Sequence, residues 1–185
     1  NILLVRWSSI GDIILTTPLV RALRARHPEA RISYLVREDL ADLVRHNPRI
    51  DQVLTWRHRS PLAPLARQLR ATPWTHKLDL QGALRSRQLR LMVGGDWQGY
   101  PKHRWRRTLL IASTRRWGGD LGPVVERYAL AARGLDVTLD DLPAEVFTSV
   151  DAERQADALL AERNLGRTRR LVALVPGAAH FTKRW

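Results

Sequence analysis

"ILLVRWSSIGDIILTTPLVRALRARHPEARISYLV", residues 2–36, is the stretch whose reading decides the fold. It opens on the apolar run Ile2 to Val5, passes through the polar turn "WSSIGD", and closes on a second apolar run, Ile32 to Val36. Between the runs, Leu19, Val20 and Leu23 recur at helical spacing on one side, with Arg21, Arg24 and Arg26 on the other. Two short unbroken apolar runs joined through a helix are the mark of a parallel sheet whose strands are covered on both faces. Pro18 leaves the helix start open: either Thr17 caps a helix with Pro18 as its first residue, or a helix begun near Asp12 is kinked.

The alternation continues along the chain. Strands are predicted at Ile2 to Arg6, Arg31 to Val36, Gln52 to Trp56, Lys77 to Leu80 and Leu171 to Val175. Helices are predicted at Glu38 to His46, ahead of the Asn47-Pro48 stop, at Leu62 to Arg70, and at Gly122 to Arg133 with Gly134 as C-terminal cap. The fold class is therefore α/β, a Rossmann-like parallel sheet with helices on both faces. "LDVTLDDLP", residues 135–143, breaks the pattern and reads as a linker. After it, Asp151 can cap a helix running to about Asn164, and "LVALVP" starts a fresh buried strand. This gives a first domain over 1–145, with 146–185 as a linker and the start of a second, and the missing closing elements point to a truncated chain.

Composition excludes several classes. With no cysteine among 185 residues there is neither a disulfide framework nor a thiolate metal site, and the six scattered histidines suggest no metal centre. The apolar runs are too short to span a bilayer, and the first residues form a strand rather than a charged leader, which points to a cytoplasmic address. The net charge of +13 has two readings: a polyanionic partner, or an arginine-rich bias decorating solvated helices. Only Lys77, Lys102 and Lys183 are lysine, which fits the bias. The densest concentration, Lys102, Arg104, Arg106, Arg107, Arg115 and Arg116 with Trp105 and Trp117, would suit anionic headgroups at about 1 kcal/mol per exposed basic residue. Nothing resembles a nucleic-acid recognition element or a stacking motif, so no specific nucleic acid is expected.

Four stretches could carry chemistry, each following a predicted strand at the sheet edge where ligands of such folds gather. In "SSIGD", Ser8 and Ser9 offer hydroxyls, Gly11 permits close approach, and Asp12 is either a proton acceptor or a helix N-cap. In "VPGAAHFTKRW", Gly177, Thr182 and Lys183 combine a small-residue loop, a hydroxyl and fixed charge suited to a diphosphate, or form an ordinary loop with a solvated Lys-Arg pair. Gln81 and Arg85 in "LDLQGALRSR" could face a cleft, or Gln81 simply satisfies loop amides. Arg57 and Arg59 in "WRHRS" could meet an anionic substrate, although exposed loop arginines are commonly only solvated.

Taken together and in order, "ILLVRWSSIGDIILTTPLVRALRARHPEARISYLV", "LDLQGALRS", "VERYALAARGL" at 125–135 and "PGAAHFTKRW" resemble the ADP-heptose:lipopolysaccharide heptosyltransferases of glycosyltransferase family 9. The resemblance implies the GT-B architecture, with this chain as the N-terminal, acceptor-side half plus the first elements of the donor domain. It implies an inverting, metal-independent transfer of heptose from ADP-L-glycero-D-manno-heptose to the inner core of lipopolysaccharide, without a cofactor. Asp12 matches the family's base. Ser9, Gly11, Gly177, Thr182 and Lys183 fall to the donor, and Arg57, Arg59, Gln81 and Arg85 to the phosphorylated or Kdo-bearing acceptor. His180 and Phe181 stand in a loop that varies between relatives and does not fix the donor. The implied partners are ADP-heptose, the lipopolysaccharide acceptor and the anionic inner face of the inner membrane. Competing readings are a glycosyltransferase for another surface polysaccharide and, on charge alone, a basic nucleic-acid-binding protein. A free aspartate titrates near pH 4 (roughly 3.9), so a base role calls for burial to raise its pKa, or for late proton transfer to an oxocarbenium-like centre.

Overall fold

In the computed structural model, residues 1–100, 122–165, 172–174 and 177 are described. The basic run Lys102 to Trp117 and the diphosphate candidates Thr182 and Lys183 lie outside the described residues. The chain divides into two units, Asn1–Phe147 and Thr148–Trp185.

The first unit is a five-stranded, all-parallel sheet. Its strands are β1 (Ile2–Val5), β2 (Ile32–Arg37), β3 (Gln52–Trp56), β4 (His76–Asp79) and β5 (Gln98–Gly99), in spatial order β3-β2-β1-β4-β5. In register, Ile2 lies beside Ile32 on one side and His76 on the other, so β1 is central. Its four residues are all buried, and their period of two sends them to two cores. Ile2 and Leu4 join Leu19, Leu23, Tyr34 and Tyr128 on one face. Leu3 and Val5 join Leu54, Leu65, Leu69 and Leu89 on the other. Every β1 side chain is thus core, which is why the run carries no polar residue until Arg6. Truncating Leu3 or Leu4 to alanine leaves a cavity costing about 2–5 kcal/mol.

The helices follow from the same pattern. α1 (Ile10–Ile14) and α2 (Thr17–Arg26) connect β1 to β2, a 3₁₀ turn (Glu38–Leu40) and α3 (Asp42–Arg45) connect β2 to β3, α4 (Leu62–Arg70) connects β3 to β4, and α5 (Leu84–Val93) connects β4 to β5. The Pro18 question resolves into two helices: α1 stops at Leu15, and α2 begins after Thr16 with the proline in its first turn, where its missing N–H is harmless. The Glu38 to His46 helix is split at Ala41 into a 3₁₀ turn and a single α-turn.

Several local expectations are corrected. Arg21 is buried, not solvated: its guanidinium pairs with Asp140 and Glu145 and donates to the Leu142 and Pro143 carbonyls. The segment 135–143 is therefore strapped to α2 rather than free, and Glu145 N–H donates to Thr17 Oγ1 at 2.9 Å. The predicted helix at 122–133 is shorter, α6 (Val124–Ala129), and continues as a 3₁₀ segment (Leu130–Leu135) ending at the left-handed Asp136, φ 50°. Gly134 is not the cap; a Cβ there would lie 2.9 Å from Gln98 Nε2, so close packing against β5 is its role. In the second unit, α7 (Val150–Glu162) is capped by Ser149, whose Oγ accepts from Ala152 N–H at 3.1 Å, with Asp151 inside the first turn. Residues 172–174, expected in a buried strand, are exposed and outside any strand; among the described residues no ladder partner is present to bury them.

Candidate functional site

β2 and β4 flank β1 on opposite sides, so chain order reverses at the carboxyl ends of β1 and β4. That reversal opens the crevice where open α/β sheets bind ligands. The loops meeting there are Arg6–Ser9 after β1 and Leu80–Ala83 after β4.

Arg6 is the last residue before the chain turns, and it is buried. A guanidinium in a core needs acceptors for its donors. Nη1 donates to the Leu80 carbonyl at 2.5 Å, Nη2 meets Asp12 Oδ2 at 2.5 Å, and the Tyr128 ring lies 5.5 Å from the guanidinium carbon. Asp12 is the third residue of α1. Ser9, not Asp12, occupies the cap position: the Asp12 carboxylate accepts from Ser9 Oγ at 2.9 Å and Ser9 N–H at 3.4 Å, the back-reaching half of a capping box. Tyr128 OH donates to the other oxygen, Oδ1, at 3.3 Å.

These contacts set the ionisation. Burial pushes the Asp12 carboxyl up, but the Arg6 charge and the Ser9 hydrogen bonds act the other way and prevail, leaving it below the ordinary 3.8. Of the two conditions for a base role, a pKa raised by burial is not met by these contacts, since a cation at 2.5 Å outweighs partial desolvation. Burial, opposed by Arg6 and reinforced by Asp12, holds the Tyr128 hydroxyl above its usual value, so it stays a donor. One oxygen of Asp12 carries the strong contacts, while Oδ1 has only the long Tyr128 bond. Oδ1 therefore keeps lone-pair capacity for an incoming hydroxyl.

The β4 loop is built around a buried carboxylate. Asp79 Oδ1 accepts from Gln81 N–H at 3.0 Å and Gly82 N–H at 2.8 Å, and Oδ2 from Ser86 Oγ at 3.0 Å. Gly82 takes φ 52°, which a glycine adopts without penalty. So held, Gln81 presents Oε1 to Trp7 N–H at 3.0 Å and Ser8 N–H at 3.3 Å, clamping the β1 loop. Gln81 thus does satisfy loop amides, beside the Asp12 loop.

Arg85 stacks over Trp56, 5.3 Å from its ring, and Trp56 in turn packs on Trp7 at 4.7 Å. Arg59 and Arg85 line one open groove with Leu62 and Gln88. Arg57 is exposed in the same β3–α4 loop. Gly11 is exposed, with nothing within 4 Å of where a Cβ would stand. Gly177, in the second unit, is likewise exposed with open space around it. Ser9 and Asp12 are thus brought together, and Arg59 and Arg85 are brought together. Among the described residues no three His, Asp or Glu side chains converge as metal ligands would.

Three members of this arrangement escaped the sequence reading. Arg6 carried a signal: a charge ending a fully apolar strand demands a buried partner, and Asp12 follows six residues on. Asp79 gave a related signal, a carboxylate between Leu78 and Leu80 at the end of β4. Tyr128 reaches Asp12 across 116 residues, a contact that no local pattern marks.

No family model and no curated protein matches the chain in sequence. Solved structures do match in shape. A glycosyl transferase of family 9 from Veillonella parvula superposes with a TM-score of 0.80 at 21% identity, over 100% of this chain and 56% of that one. The E. coli ADP-heptose lps heptosyltransferase II gives 0.66 at 21%, over 97% and 55%. E. coli heptosyltransferase WaaC with ADP gives 0.60 at 20%, over 78% and 50%. The chain spans about half the length of each. What this likeness shows is the fold: a Rossmann-like parallel sheet of the kind that forms the N-terminal part of GT-B glycosyltransferases.

Proposed function

We propose that this chain supplies the acceptor-side half of an inverting glycosyltransferase that moves heptose from ADP-heptose to the inner core of lipopolysaccharide, with Asp12 as the base. The observation that carries the reading is the ionised, half-exposed carboxylate of Asp12 at the point where strand order reverses, aimed by Arg6, Ser9 and Tyr128. Two similar structures of E. coli heptosyltransferase WaaC hold ADP and ADP-2-deoxy-2-fluoro heptose, which supports a nucleotide-sugar donor.

The chemistry suits a weak base. As the acceptor hydroxyl attacks the anomeric carbon, that carbon carries oxocarbenium character and the bond to the diphosphate stretches. The attacking oxygen gains positive charge as its new bond forms, so its proton becomes acidic late. A carboxylate below the ordinary range can then take it at Oδ1. ADP leaves as an anion and needs charge rather than a proton. We assign that task to Thr182 and Lys183, with Gly177, Ser9 and Gly11 leaving room for the donor. Arg57, Arg59, Gln81 and Arg85 would face the acceptor, the arginines meeting its phosphate or carboxylate groups. The transfer itself asks for no cofactor.

The test uses the protein expressed from its complete reading frame, with heptose-deficient lipopolysaccharide and a panel of nucleotide sugars. ADP-heptose should be consumed with ADP released and the anomeric configuration inverted. Transfer only from another nucleotide sugar would move the protein to a different surface polysaccharide, and no transfer from any donor would remove the reading.

A further inference from the structure

Charge is segregated across the first unit. From Gln52 to Gly95 the chain carries eight basic residues, and its one acidic residue is the buried Asp79. The next carboxylate, Asp96, comes after α5 has ended. This stretch builds β3, α4, β4 and α5, so both helices of one sheet face lie within it. On the other face, α2 and α3 have their arginines matched: Arg24 with Asp51 at 2.6 Å, Arg26 with Asp136 at 3.1 Å, and Arg45 with Asp42 at 3.4 Å. On the α4–α5 face, Arg67, Arg70 and Arg87 are exposed and have no carboxylate partner among the described residues.

The same face shows apolar side chains where a solvated helix would show polar ones. α5 turns Leu89 and Ser86 inward, yet Leu84 is 72% exposed, Leu91 84% and Met92 37%. Their spacing places them along one outward stripe of the helix. Arg85 and Arg59 border the groove on one side of Leu91, and Arg87 and Arg90 the groove on the other. Protruding leucines bordered by arginines, with only the buried Asp79 to offset their charge, fit a surface that is anionic outside and hydrocarbon just beneath.

We propose that the α4–α5 face docks on an anionic lipid bilayer, with Leu84, Leu91 and Met92 entering the headgroup–acyl boundary and the arginines meeting lipid phosphates. Charge complementarity names an anion, and the aliphatic stripe selects among anions. A nucleic acid rewards aromatic stacking on its bases and gains nothing from exposed leucine. This surface does not depend on the glycosyl-transfer reading, nor on the basic run at 102–117.

The experiment is co-sedimentation of the protein with phosphatidylglycerol-containing vesicles and with pure phosphatidylcholine vesicles. Binding should require phosphatidylglycerol. Leu84→Ser/Leu91→Ser should cut partitioning by about tenfold or more, since each leucine loses its buried area. Arg67→Gln/Arg70→Gln/Arg87→Gln should cut it about a hundredfold, at roughly fivefold per arginine. Arg26→Gln/Arg45→Gln/Arg133→Gln removes equal charge from the elements on the opposite face of the sheet and should cost only a few-fold. All these side chains are exposed, so unchanged thermal unfolding is expected to certify the fold. Absence of binding, indifference to the leucine pair, or equal loss from the two arginine triplets would each overturn the proposal. Leucine-insensitive binding matched by equal affinity for single-stranded DNA would replace the lipid with nucleic acid.

Discussion

At the scale of residues, the account turns on a carboxylate whose basicity is set by its neighbours. Arg6 holds Asp12 ionised against the effect of burial. Replacing Arg6 by Met removes the charge and keeps much of the bulk, so the Asp12 pKa should rise. The acid limb of the kcat/KM profile should then move to higher pH, and an unmoved limb would show that Arg6 does not govern the base. Gly11 offers a second test. It lies inside α1 with nothing in reach of an added Cβ. Gly11→Ala should therefore stabilise the fold, by about 0.5–1 kcal/mol from helix propensity, while raising KM if a substrate approaches there. A fall in the urea midpoint would contradict the open space around it.

At the scale of elements, the β4 loop is the part that positions the site. Asp79→Asn leaves two loop N–H groups and Ser86 competing for a neutral amide, and should cost about 1–3 kcal/mol in urea unfolding. Gln81→Leu would unpair Trp7 and Ser8 N–H and loosen the Asp12 loop with a smaller loss of stability. This scale also shows how much the sequence revealed. Four strands, α2 and α4 were legible because buried strands and amphipathic helices write their burial directly into local periodicity. β5 was not, because two residues, Gln98 and Gly99, carry no period. α5 was missed because its outward stripe is leucine and methionine, so the pattern of one buried and one polar face is blurred. Asp12, Ser9 and Gln81 were legible as candidates at the sheet edge. The fall in the Asp12 pKa was not, since it depends on the side-chain geometry of Arg6.

At the scale of the whole molecule, acid stability follows from the same carboxylates. Asp140 is lowered chiefly by its hydrogen bond to Arg21, Asp51 by Ile32 N–H and Arg24 against the opposing effect of burial, and Asp12 by Arg6 and Ser9, again against burial. A carboxyl depressed in the folded state binds its proton more weakly there than in the unfolded chain. Its contribution is therefore complete above the unfolded pKa, near 4, and is lost as pH falls through the lower folded value. The urea midpoint should stay flat with respect to these groups from neutrality to about pH 5 and fall below about pH 4. Asp140→Asn should flatten that fall while lowering the midpoint at neutral pH, because the strap from Asp136 to Glu145 loses its anchor on Arg21. An acid transition unchanged by Asp140→Asn would contradict the assignment.

The most direct measurement is kcat for heptose transfer by wild type and by Asp12→Asn, expressed from the complete reading frame. Thermal unfolding and ADP-heptose affinity are measured alongside. The account predicts a fall of about a thousandfold, within the range for losing a general base, with fold and donor affinity kept. Transfer undiminished in Asp12→Asn would contradict it and leave Asp12 as the residue that closes the first turn of α1.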